Sequence, residues 1–392
     1  MESGSSSAPP LAGIKVLDLT RYQAGPSATR RLADYGCEVV KVEMPGIGDP
    51  GRGINIASDG FPMFWEAFNR NKKSVEIDLR DAKDRDFFIQ LVKWADVLVE
   101  NYKFGTLDKW EIGYKDLKKY NEKLIYASST GYGPRGRLRK QGAFDMASQA
   151  WSGAMVAQGG GPSHEPMVVE WALADEIGGM NLAFGVLAAL LARTRTGKGQ
   201  YLQTSQLGAM IEMQVNGTGL TRTLHNGRQR DDGLPPFVNN AYRQTYYKAS
   251  DNKWFITAAV TDKYWKSMLT CIGRLDLLKD PRQLTKEART KNTVFLKKEL
   301  SKTFLSKPRD YWVDLLTKNS VVCAPVLSYA EVKEEQHFYD NRYLRKMNYE
   351  NYGDKIVQGL ALDFSETKPA EFTRAPRLGE HNDEFKKKTS KL

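Results

Sequence analysis

Three carboxylates lie beside apolar segments, where they could serve either as helix caps or in catalysis. Asp145 stands between Phe144 and Met146, and Asp175 and Glu176 follow the residues WALA. Burying an unpaired carboxylate is costly, so each of these groups needs hydrogen-bond donors or a chemical task. As an N-cap, Asp175 would accept hydrogen bonds from the first turn of the helix that follows it. As a nucleophile, it would lie beside free backbone N–H groups that can stabilise an oxyanion on the attacked substrate.

Asp175 and Glu176 compete for the same task, because successive residues of a helix point about 100° apart. The residue pattern leaves capping and catalysis open, and the two roles are compatible. If Asp175 is the nucleophile, an ordinary carboxyl pKa of about 3.9 predicts that it is ionised at pH 7 without a base partner.

The segments that must position these carboxylates alternate between apolar strands and helices. Strands are predicted at 14–19, 37–43, 74–79, 96–101 and 123–132, and helices at 27–35, 81–95 and 115–120. Ser27 is the predicted N-cap of the first helix. This alternation predicts a doubly wound α/β sheet over 11–135, which binds its ligand at the carboxyl ends of the strands. The loops RYQAGP, ENYKFG and SSTGYG lie at those ends.

A polar, turn-rich segment after residue 226 separates a second pattern from the first. We expect a large Rossmann-like domain over 1–225, a smaller α+β domain over 226–330, and a return segment, 331–392, that completes the large domain. The smaller domain contains two aromatic strands, RQTYYKA and KWFITAAV, and a predicted hairpin at 321–328.

The composition is that of a globular protein and excludes several classes. The 392 residues include 58 Lys and Arg against 47 Asp and Glu, a net charge of +11. This surplus suggests an anionic partner, but the basic residues are interspersed with acids, which argues against nucleic acid. The three Cys and four His are too scattered for a disulfide framework or a predicted metal site. The fingerprints of dinucleotide-binding proteins, P-loop NTPases and serine hydrolases are absent.

The two ends and the apolar segments bear on location. The first ten residues lack the basic and apolar regions of a signal peptide, and the stretch Leu182 to Ala192 is shorter than the roughly 20 residues of a membrane span. We therefore expect a cytoplasmic protein that binds no membrane. The final Ser-Lys-Leu would be a peroxisomal address in a eukaryote. The lysines from Lys386 onward are predicted to form a frayed tail.

Several segments then match one family together and in order. They include LAGIKVLDLTRYQAGP (11–26), CEVVKVEMPGIGDPGR (37–52), ADVLVENYKFGTLDKW (95–110), ALADEIGG (172–179) and TRAPRLGEHNDE (373–384). The chain resembles the class III CoA-transferase family, the formyl-CoA transferase-like or CaiB/BaiF group, over roughly 11–385. The resemblance implies a Rossmann-like domain built from both chain ends, a small domain between them, and an interlocked dimer. A heteromer with a paralogous subunit is the other assembly considered.

The resemblance also implies the site and the chemistry. The family nucleophile corresponds to Asp175, and coenzyme A is a substrate, with no tightly bound cofactor and no metal. The donor acyl-CoA, with succinyl-CoA favoured, would pass its CoA to a carboxylic acid through an aspartyl-CoA thioester. Gln23 is a candidate for orienting the nucleophile, and the glycines at 159–161 for a mobile cover. The family's CoA-contacting positions correspond to Tyr22, Gln23, Ala24, Arg80, Asn101, Tyr102, Lys103, Lys109, Gly142, Ala143, Phe144 and Asp145.

Three departures narrow the implied activity. The region 233–247 lacks the glycine-rich lid of oxalate-type members, and Met44 replaces a family cation. Phe144 stands where the related α-methylacyl-CoA racemases carry a His, so racemisation is the second choice. A non-catalytic acyl-CoA-binding or nucleic-acid-binding protein is the alternative of a different class. A group of aromatic residues predicts a larger acceptor acid, such as benzylsuccinate, if they line the pocket: Trp151, Trp171, Tyr242, Tyr246 and Tyr247.

Overall fold

The structure is a computed structural model, and its described residues are 8–215, 219–227, 229, 231, 233, 245–259 and 261–390. Their contacts divide the chain into two compact units. The first unit comprises Met1–Met155, Met167–Gln229 and Arg342–Leu392, and the second comprises Val156–Pro166 and Arg230–Asn341. The strands are β1 (Lys15–Asp18), β2 (Glu38–Glu43), β3 (Lys72–Glu76), β4 (Val97–Glu100), β5 (Ile125–Thr130), β6 (Tyr201–Ser205), β7 (Thr245–Lys248), β8 (Trp254–Thr257), β9 (Cys323–Val326), β10 (Leu344–Tyr349) and β11 (Gly353–Gln358). The helices are α1 (Ala24–Asp34), α2 (Met63–Asn69), α3 (Arg85–Trp94), α4 (Thr106–Lys109), α5 (Tyr114–Leu117), α6 (Asp145–Trp151), α7 (Ala154–Gln158), α8 (Leu173–Thr196), α9 (Gln206–Glu212), α10 (Leu220–Asn226), α11 (Asp262–Cys271), α12 (Leu275–Leu278), α13 (Lys286–Lys291), α14 (Thr293–Phe304), α15 (Arg309–Lys318), α16 (Tyr329–Glu334), α17 (Gln336–Asp340) and α18 (Asn382–Thr389).

The first unit is built on a six-stranded parallel sheet in the order β3-β2-β1-β4-β5-β6. This is the strand order of a doubly wound Rossmann-like sheet. The central strands are apolar on both faces, as a sheet covered on both sides requires, and Val16, Leu17 and Leu98 are fully buried. The predicted α/β class is confirmed, and the carboxyl ends of all six strands meet at one edge.

The second unit has its own small core around a three-stranded antiparallel sheet, β7-β8-β9. The predicted hairpin at 321–328 is wrong, because β9 is a single strand that pairs with β8. The hairpin of this part of the sequence is β10-β11, which belongs to the first unit. Tyr247 and Phe255 are fully buried in the core of the second unit and pack on Phe304.

The sequence pattern predicted a frayed tail from Lys386 onward, and this is wrong for Lys386, Lys387 and Lys388; Lys391 lies outside the described residues. These three lysines lie on helix α18, which buries Phe385 against Trp94 at a ring-centroid distance of 5.3 Å. Lys388 forms an ion pair with Glu38. Of the final Ser-Lys-Leu, only Ser390 is among the described residues. The return segment is therefore part of the first unit's packing.

Helix α8 is the longest described helix, and it is longer than the apolar stretch predicted from the sequence. Its 24 residues make it, by length and composition, the one candidate membrane span among the described residues, with a mean hydropathy of 1.4 over the best 18-residue window. A core helix passes the same test, and α8 buries Leu182 and Val186 completely against the sheet. A Cβ at Gly179 would lie 2.7 Å from the carbonyl oxygen of Ala24, so glycine permits the close approach of α8 to α1.

Candidate active site

A cavity of about 380 Å³ opens at the carboxyl ends of β1, β4 and β5. It lies within the first unit, at the edge where a doubly wound sheet binds its ligands. Ten of the thirteen site residues predicted from the sequence line it: Tyr22, Gln23, Ala24, Asn101, Tyr102, Lys103, Gly142, Ala143, Phe144 and Asp175. The cavity is thus lined by four separate loops, at 21–24, 101–106, 129–131 and 139–144, and by the start of α8.

Asp175 is the third residue of α8 rather than the residue that precedes the helix. The helix begins at Leu173, and its N-cap position is Ala172, which lacks a capping side chain and has a left-handed φ of 50°. The prediction that Asp175 caps a helix starting at residue 176 is therefore wrong. Its position in the first turn carries the carboxylate toward the cavity.

Asp145 supplies the cap that Ala172 cannot. Its Oδ1 accepts the backbone N–H of Ala174 at 2.6 Å and that of Asp175 at 3.2 Å. Its Oδ2 accepts the amide of Gln149 at 2.6 Å. A carboxylate in this place also suits the positive end of the helix dipole. Asp145 is buried, and it is not among the residues that line the cavity, so the structure does not bring it to the ligand space.

Glu176 accepts hydrogen bonds from a cluster of donors on α1 and the loop before it. Arg31 lies 2.7 Å from its Oε2, Ser27 donates at 3.0 Å, and Gln23 donates at 3.1 Å. These contacts hold the pKa of Glu176 below its ordinary value despite burial. The predicted Ser27 N-cap is wrong, because α1 already starts at Ala24 and the hydroxyl is bonded to Glu176. Gln23 likewise orients Glu176 rather than Asp175.

The Asp175 carboxylate instead accepts a hydrogen bond from the side-chain amide of Gln206, the first residue of α9. Burial, reinforced by the charges of Asp145 and Glu176, raises the pKa of Asp175 to about 7, although the Gln206 hydrogen bond opposes this. The prediction of an ordinary pKa is therefore wrong. At neutral pH roughly half of the free enzyme carries Asp175 in its ionised form.

The loop after β1 is fixed from both sides. Tyr22 has a left-handed φ of 63°, and its N–H donates to Asp49 at 3.1 Å. Asp49 forms a buried ion pair with Lys41 at 2.9 Å. On the other side, Asn101 exchanges two hydrogen bonds of 2.8 Å with the backbone of Arg21. A non-glycine backbone held in this uncommon conformation indicates a loop shaped for a ligand.

A second cavity of about 360 Å³ shares Arg21 and Tyr102 with the first. Arg80, Met44 and Trp110 line it, so Arg80 lies beside the second cavity rather than the one containing Asp175. Arg80 is engaged by Asp78 through two contacts of 2.9 Å. A ligand phosphate would have to share Arg80 with that carboxylate. Lys109 is exposed on α4 and lines neither cavity.

The aromatic residues predicted to shape the acceptor pocket do not gather there. Tyr247 is a core residue of the second unit, Tyr246 lies on the same strand, and Tyr242 lies outside the described residues. Trp151 and Trp171 are exposed on the first unit and do not line the cavity with Asp175. The glycines at 159–161 belong to the second unit. Of the region 233–247, which lacks the glycine-rich lid of oxalate-type members, residues 234–244 lie outside the described residues.

Sequence reasoning missed several residues that line the cavity, among them Arg21, Phe104, Thr130, Arg139 and Gln206. Arg21 and Phe104 stand inside the loops RYQAGP and ENYKFG, so their position after a strand was the available signal. Gln206 lacked such a signal, because its approach to Asp175 depends on how α9 packs beside α8. Among the described residues, no group of three or more His, Cys, Asp or Glu side chains could hold a metal ion.

The chain combines a Rossmann-like sheet with a partly buried aspartate that lines a cavity at the ligand edge of that sheet. The model of CoA-transferase family III matches residues 11–382. The chain belongs to this family, and it is a CoA-transferase.

Relatives of known name agree with this assignment. The chain is 34% identical to a succinyl-CoA:mesaconate CoA-transferase of Haloarcula hispanica, over 96% of this chain and 95% of the relative. It is 33% identical to an acetyl-CoA:oxalate CoA-transferase of Acetobacter aceti, over 82% of each chain. A CaiB/BaiF family protein from Brucella suis superposes with a TM-score of 0.86 at 30% identity, covering 98% of this chain and 100% of that one.

Proposed function

We propose that the protein transfers CoA from an acyl-CoA donor to a carboxylic acid through an aspartyl-CoA thioester at Asp175. One observation carries the proposal: Asp175 shares a single cavity with three loops, at 22–24, 101–103 and 142–144, that correspond to CoA-contacting segments of the family. Its neighbour Glu176 is already bonded to Arg31, Ser27 and Gln23, which leaves Asp175 as the carboxylate available to a thioester.

The reaction proceeds by exchange of acyl partners at one carboxylate. An oxygen of ionised Asp175 attacks the donor thioester, forms a mixed anhydride and releases CoA thiolate. The thiolate then attacks Cγ of Asp175, the C–O bond to the donor acid breaks, and an aspartyl-CoA thioester remains. The acceptor carboxylate attacks that thioester, and the same steps in reverse deliver its CoA ester. Such covalent catalysis divides one difficult transfer into easier steps.

The two adjoining cavities suggest how CoA is placed. The thioester end belongs beside Asp175, and the nucleotide end belongs in the cavity with Met44, Trp110 and Arg80. Arg21 lines both cavities and stands where the phosphates would pass between them. Lys103 and Arg139 add positive charge at the rim of the first cavity. Lys109 keeps only a peripheral role toward CoA.

For the substrates, we propose succinyl-CoA as donor and a dicarboxylic acid as acceptor. The support is the relative that is named for succinyl-CoA and mesaconate and aligns with nearly the whole chain. The aromatic acceptor benzylsuccinate loses its main support, since four of the five aromatic side chains on which it rested do not line the cavity and the fifth, Tyr242, lies outside the described residues. Acetyl-CoA with oxalate is the second substrate pair, because a relative of similar identity is named for it.

A competition experiment tests the substrates. The enzyme is incubated with succinyl-CoA and an equimolar panel of mesaconate, oxalate, formate, benzylsuccinate and monocarboxylates, and the new CoA esters are identified by mass. We expect the mesaconate ester to dominate over the esters of oxalate, formate, benzylsuccinate and the monocarboxylates. Acetyl-CoA replaces succinyl-CoA in a matched reaction, and preferential transfer to oxalate there would overturn the assignment. A parallel reaction with D175A measures the CoA ester that forms without Asp175, and this amount is subtracted.

The racemase alternative has weak support from the site. Proton exchange at an α-carbon uses two bases on opposite faces, and Phe144 occupies the position that would supply one of them. We expect no deuterium to enter the α-carbon of a 2-methylacyl-CoA in D₂O. Measurable exchange that requires Asp175 would favour the racemase.

We further propose that two copies of this chain assemble in the cytoplasm. The outer face of α8 exposes an apolar row at helical spacing: Met180, Phe184, Leu187 and Leu191 are 55%, 73%, 40% and 62% exposed. Residues at this spacing form one stripe of a helix, and a contiguous apolar stripe marks an interaction surface. A paralogous partner chain would use the same face.

A further inference from the structure

Gln206 is held in one orientation toward the nucleophile. Its amide nitrogen donates to Oδ1 of Asp175, and its amide oxygen accepts the hydroxyl of Ser148 at 3.2 Å. Both residues are buried: Ser148 is fully enclosed and Gln206 is 7% exposed. With its oxygen accepting from Ser148, the amide presents its N–H groups to Asp175. Two helices, α6 and α9, thus fix one donor on the reacting carboxylate.

Three backbone N–H groups at the start of α8, those of Ala174, Asp175 and Glu176, already have acceptors within the protein. The N–H groups of Ala174 and Asp175, which the sequence suggested as oxyanion donors, both point to Oδ1 of Asp145. The N–H of Glu176 donates to the carbonyl of Ala172 at 3.0 Å. These three groups of the first turn are therefore committed within the protein and do not reach a charge that develops on the Asp175 side chain.

We propose that Gln206 is a catalytic residue that stabilises the tetrahedral intermediate formed at Cγ of Asp175. The inference rests on the aspartyl thioester route proposed above. In that route the CoA sulfur forms a bond to Cγ, and the electron pair of the Cγ=Oδ1 bond moves onto Oδ1. Collapse of the intermediate restores the carbonyl and breaks the bond to the donor acid. The Gln206 N–H is already hydrogen-bonded to Oδ1, so it meets the negative charge without reorganisation.

The test compares wild type with Gln206→Met, which keeps the side-chain length but removes the amide. Single-turnover formation of the aspartyl-CoA thioester is followed by intact mass, with succinyl-CoA, at pH 9. At that pH Asp175 is ionised in the wild type, so the comparison reports on the intermediate more than on the proton. We expect the rate to fall by a factor of about 10²–10³, the usual cost of removing one oxyanion donor. The dissociation constant of free CoA should change less than about 3-fold, because Gln206 acts at the carboxylate.

Ser148→Ala is the second variant, because it leaves Gln206 in place and removes only the hydroxyl that orients it. We expect Ser148→Ala to lose less of the rate of thioester formation than Gln206→Met does. In Gln206→Met, the acid limb of the pH–rate profile should have a higher apparent pKa, because the Gln206 hydrogen bond lowers the pKa of Asp175. Thermal unfolding shows whether each variant is folded. If Gln206→Met is misfolded, the rate of Ser148→Ala alone tests the role of Gln206. If Gln206→Met is folded and forms the thioester within about 3-fold of the wild-type rate, the catalytic role of Gln206 is overturned. If Gln206→Met misfolds, an unchanged rate in Ser148→Ala overturns that role.

A failure of the underlying route gives a different result. If Asp175→Asn keeps wild-type turnover, the aspartyl thioester itself is wrong, and the Gln206 role falls with it. If Asp175→Asn is inactive while Gln206→Met transfers CoA at the wild-type rate, the route stands and only the role of Gln206 is overturned.

Discussion

Two adjacent carboxylates in this protein have opposite electrostatic environments, and the difference assigns their roles. Glu176 accepts hydrogen bonds from three side chains, which hold its pKa below the ordinary value. Asp175 is partly buried beside Asp145, and its pKa rises to about 7. A protonated carboxyl is a poor nucleophile, so the free enzyme needs pH near or above neutrality to attack a thioester.

The raised pKa of Asp175 predicts a pH dependence. As the pH falls through about 7, Asp175 gains its proton, so kcat/KM should decline, with half of its maximal value near pH 7. The measurement is kcat/KM for succinyl-CoA between pH 5 and pH 9, with enzyme stability checked at each pH. A carboxylate of ordinary pKa would give a flat profile above pH 5, and that result would contradict the assigned environment.

The chemistry of Asp175 was predictable from the sequence only through the resemblance. Its residue pattern fitted an N-cap equally well, and its ordinary pKa was assumed because burial and the distance to Asp145 are not visible in a sequence. Gln206 was not predicted at all. It lies 31 residues from Asp175 in the chain, and their contact depends on the packing of α9 against α8.

At the scale of elements, the site depends on how α8 begins. Ala172 has no side-chain group that could cap this helix. Asp145, the first residue of α6, caps it instead by accepting the N–H of Ala174, which lies 29 residues later in the chain. Together with burial, the same carboxylate raises the pKa of Asp175, so one residue links the stability of the helix to the acidity of Asp175.

A pair of substitutions separates these two effects of Asp145. D145N keeps an oxygen that can accept the N–H groups of α8 but removes the charge, so the acid limb of kcat/KM should move to lower pH. D145A also removes the charge but deletes the cap, which should cost about 1 kcal/mol of unfolding free energy. Thermal unfolding and the pH profile are measured for both variants. Equal stability of D145A and wild type would show that Asp145 does not cap α8.

The elements that were well predicted are those with the simplest patterns. The strands 14–19, 37–43 and 96–101 were recognised as short apolar runs, because strands of a parallel sheet are buried on both faces. The start of α1 was misplaced by three residues, since Ser27 is a favoured cap type whose hydroxyl is committed to the distant Glu176. Local preference is overridden there by a tertiary contact.

At the scale of the whole molecule, both ends of the chain contribute to one sheet-based unit. Helix α18 closes the core with Phe385, which has no exposed surface. The frayed tail was predicted because four lysines stand near the end of the sequence. The prediction is wrong for the described part of this segment, because burial of the single aromatic residue Phe385 holds α18 against the first unit. Phe385 packs against Trp94, which is far away in the sequence, so the residues around Phe385 do not predict this contact.

Phe385 provides the test of that packing. F385A should lower the free energy of unfolding by about 3–5 kcal/mol, the usual loss for a fully buried aromatic side chain. Denaturant unfolding of the full chain measures it, and K387A on the same helix is the matched surface control. A loss below about 1 kcal/mol would mean that α18 adds little to the core.

The exposed row on α8 gives a prediction about assembly. F184E places a charge on the most exposed member of the apolar row and should convert a two-chain species to single chains in analytical ultracentrifugation. K198E, near the end of the same helix but outside the row, is the control. An unchanged two-chain mass in F184E would exclude this face as the contact.

The central claim is that Asp175 carries the CoA during transfer. The most direct measurement traps the enzyme with succinyl-CoA and hydroxylamine or borohydride, and then locates the modified peptide by mass. We predict an adduct on Asp175 in wild type and in E176Q, and neither adduct nor CoA transfer in D175A. No adduct at Asp175, together with undiminished transfer by D175A, would contradict the account.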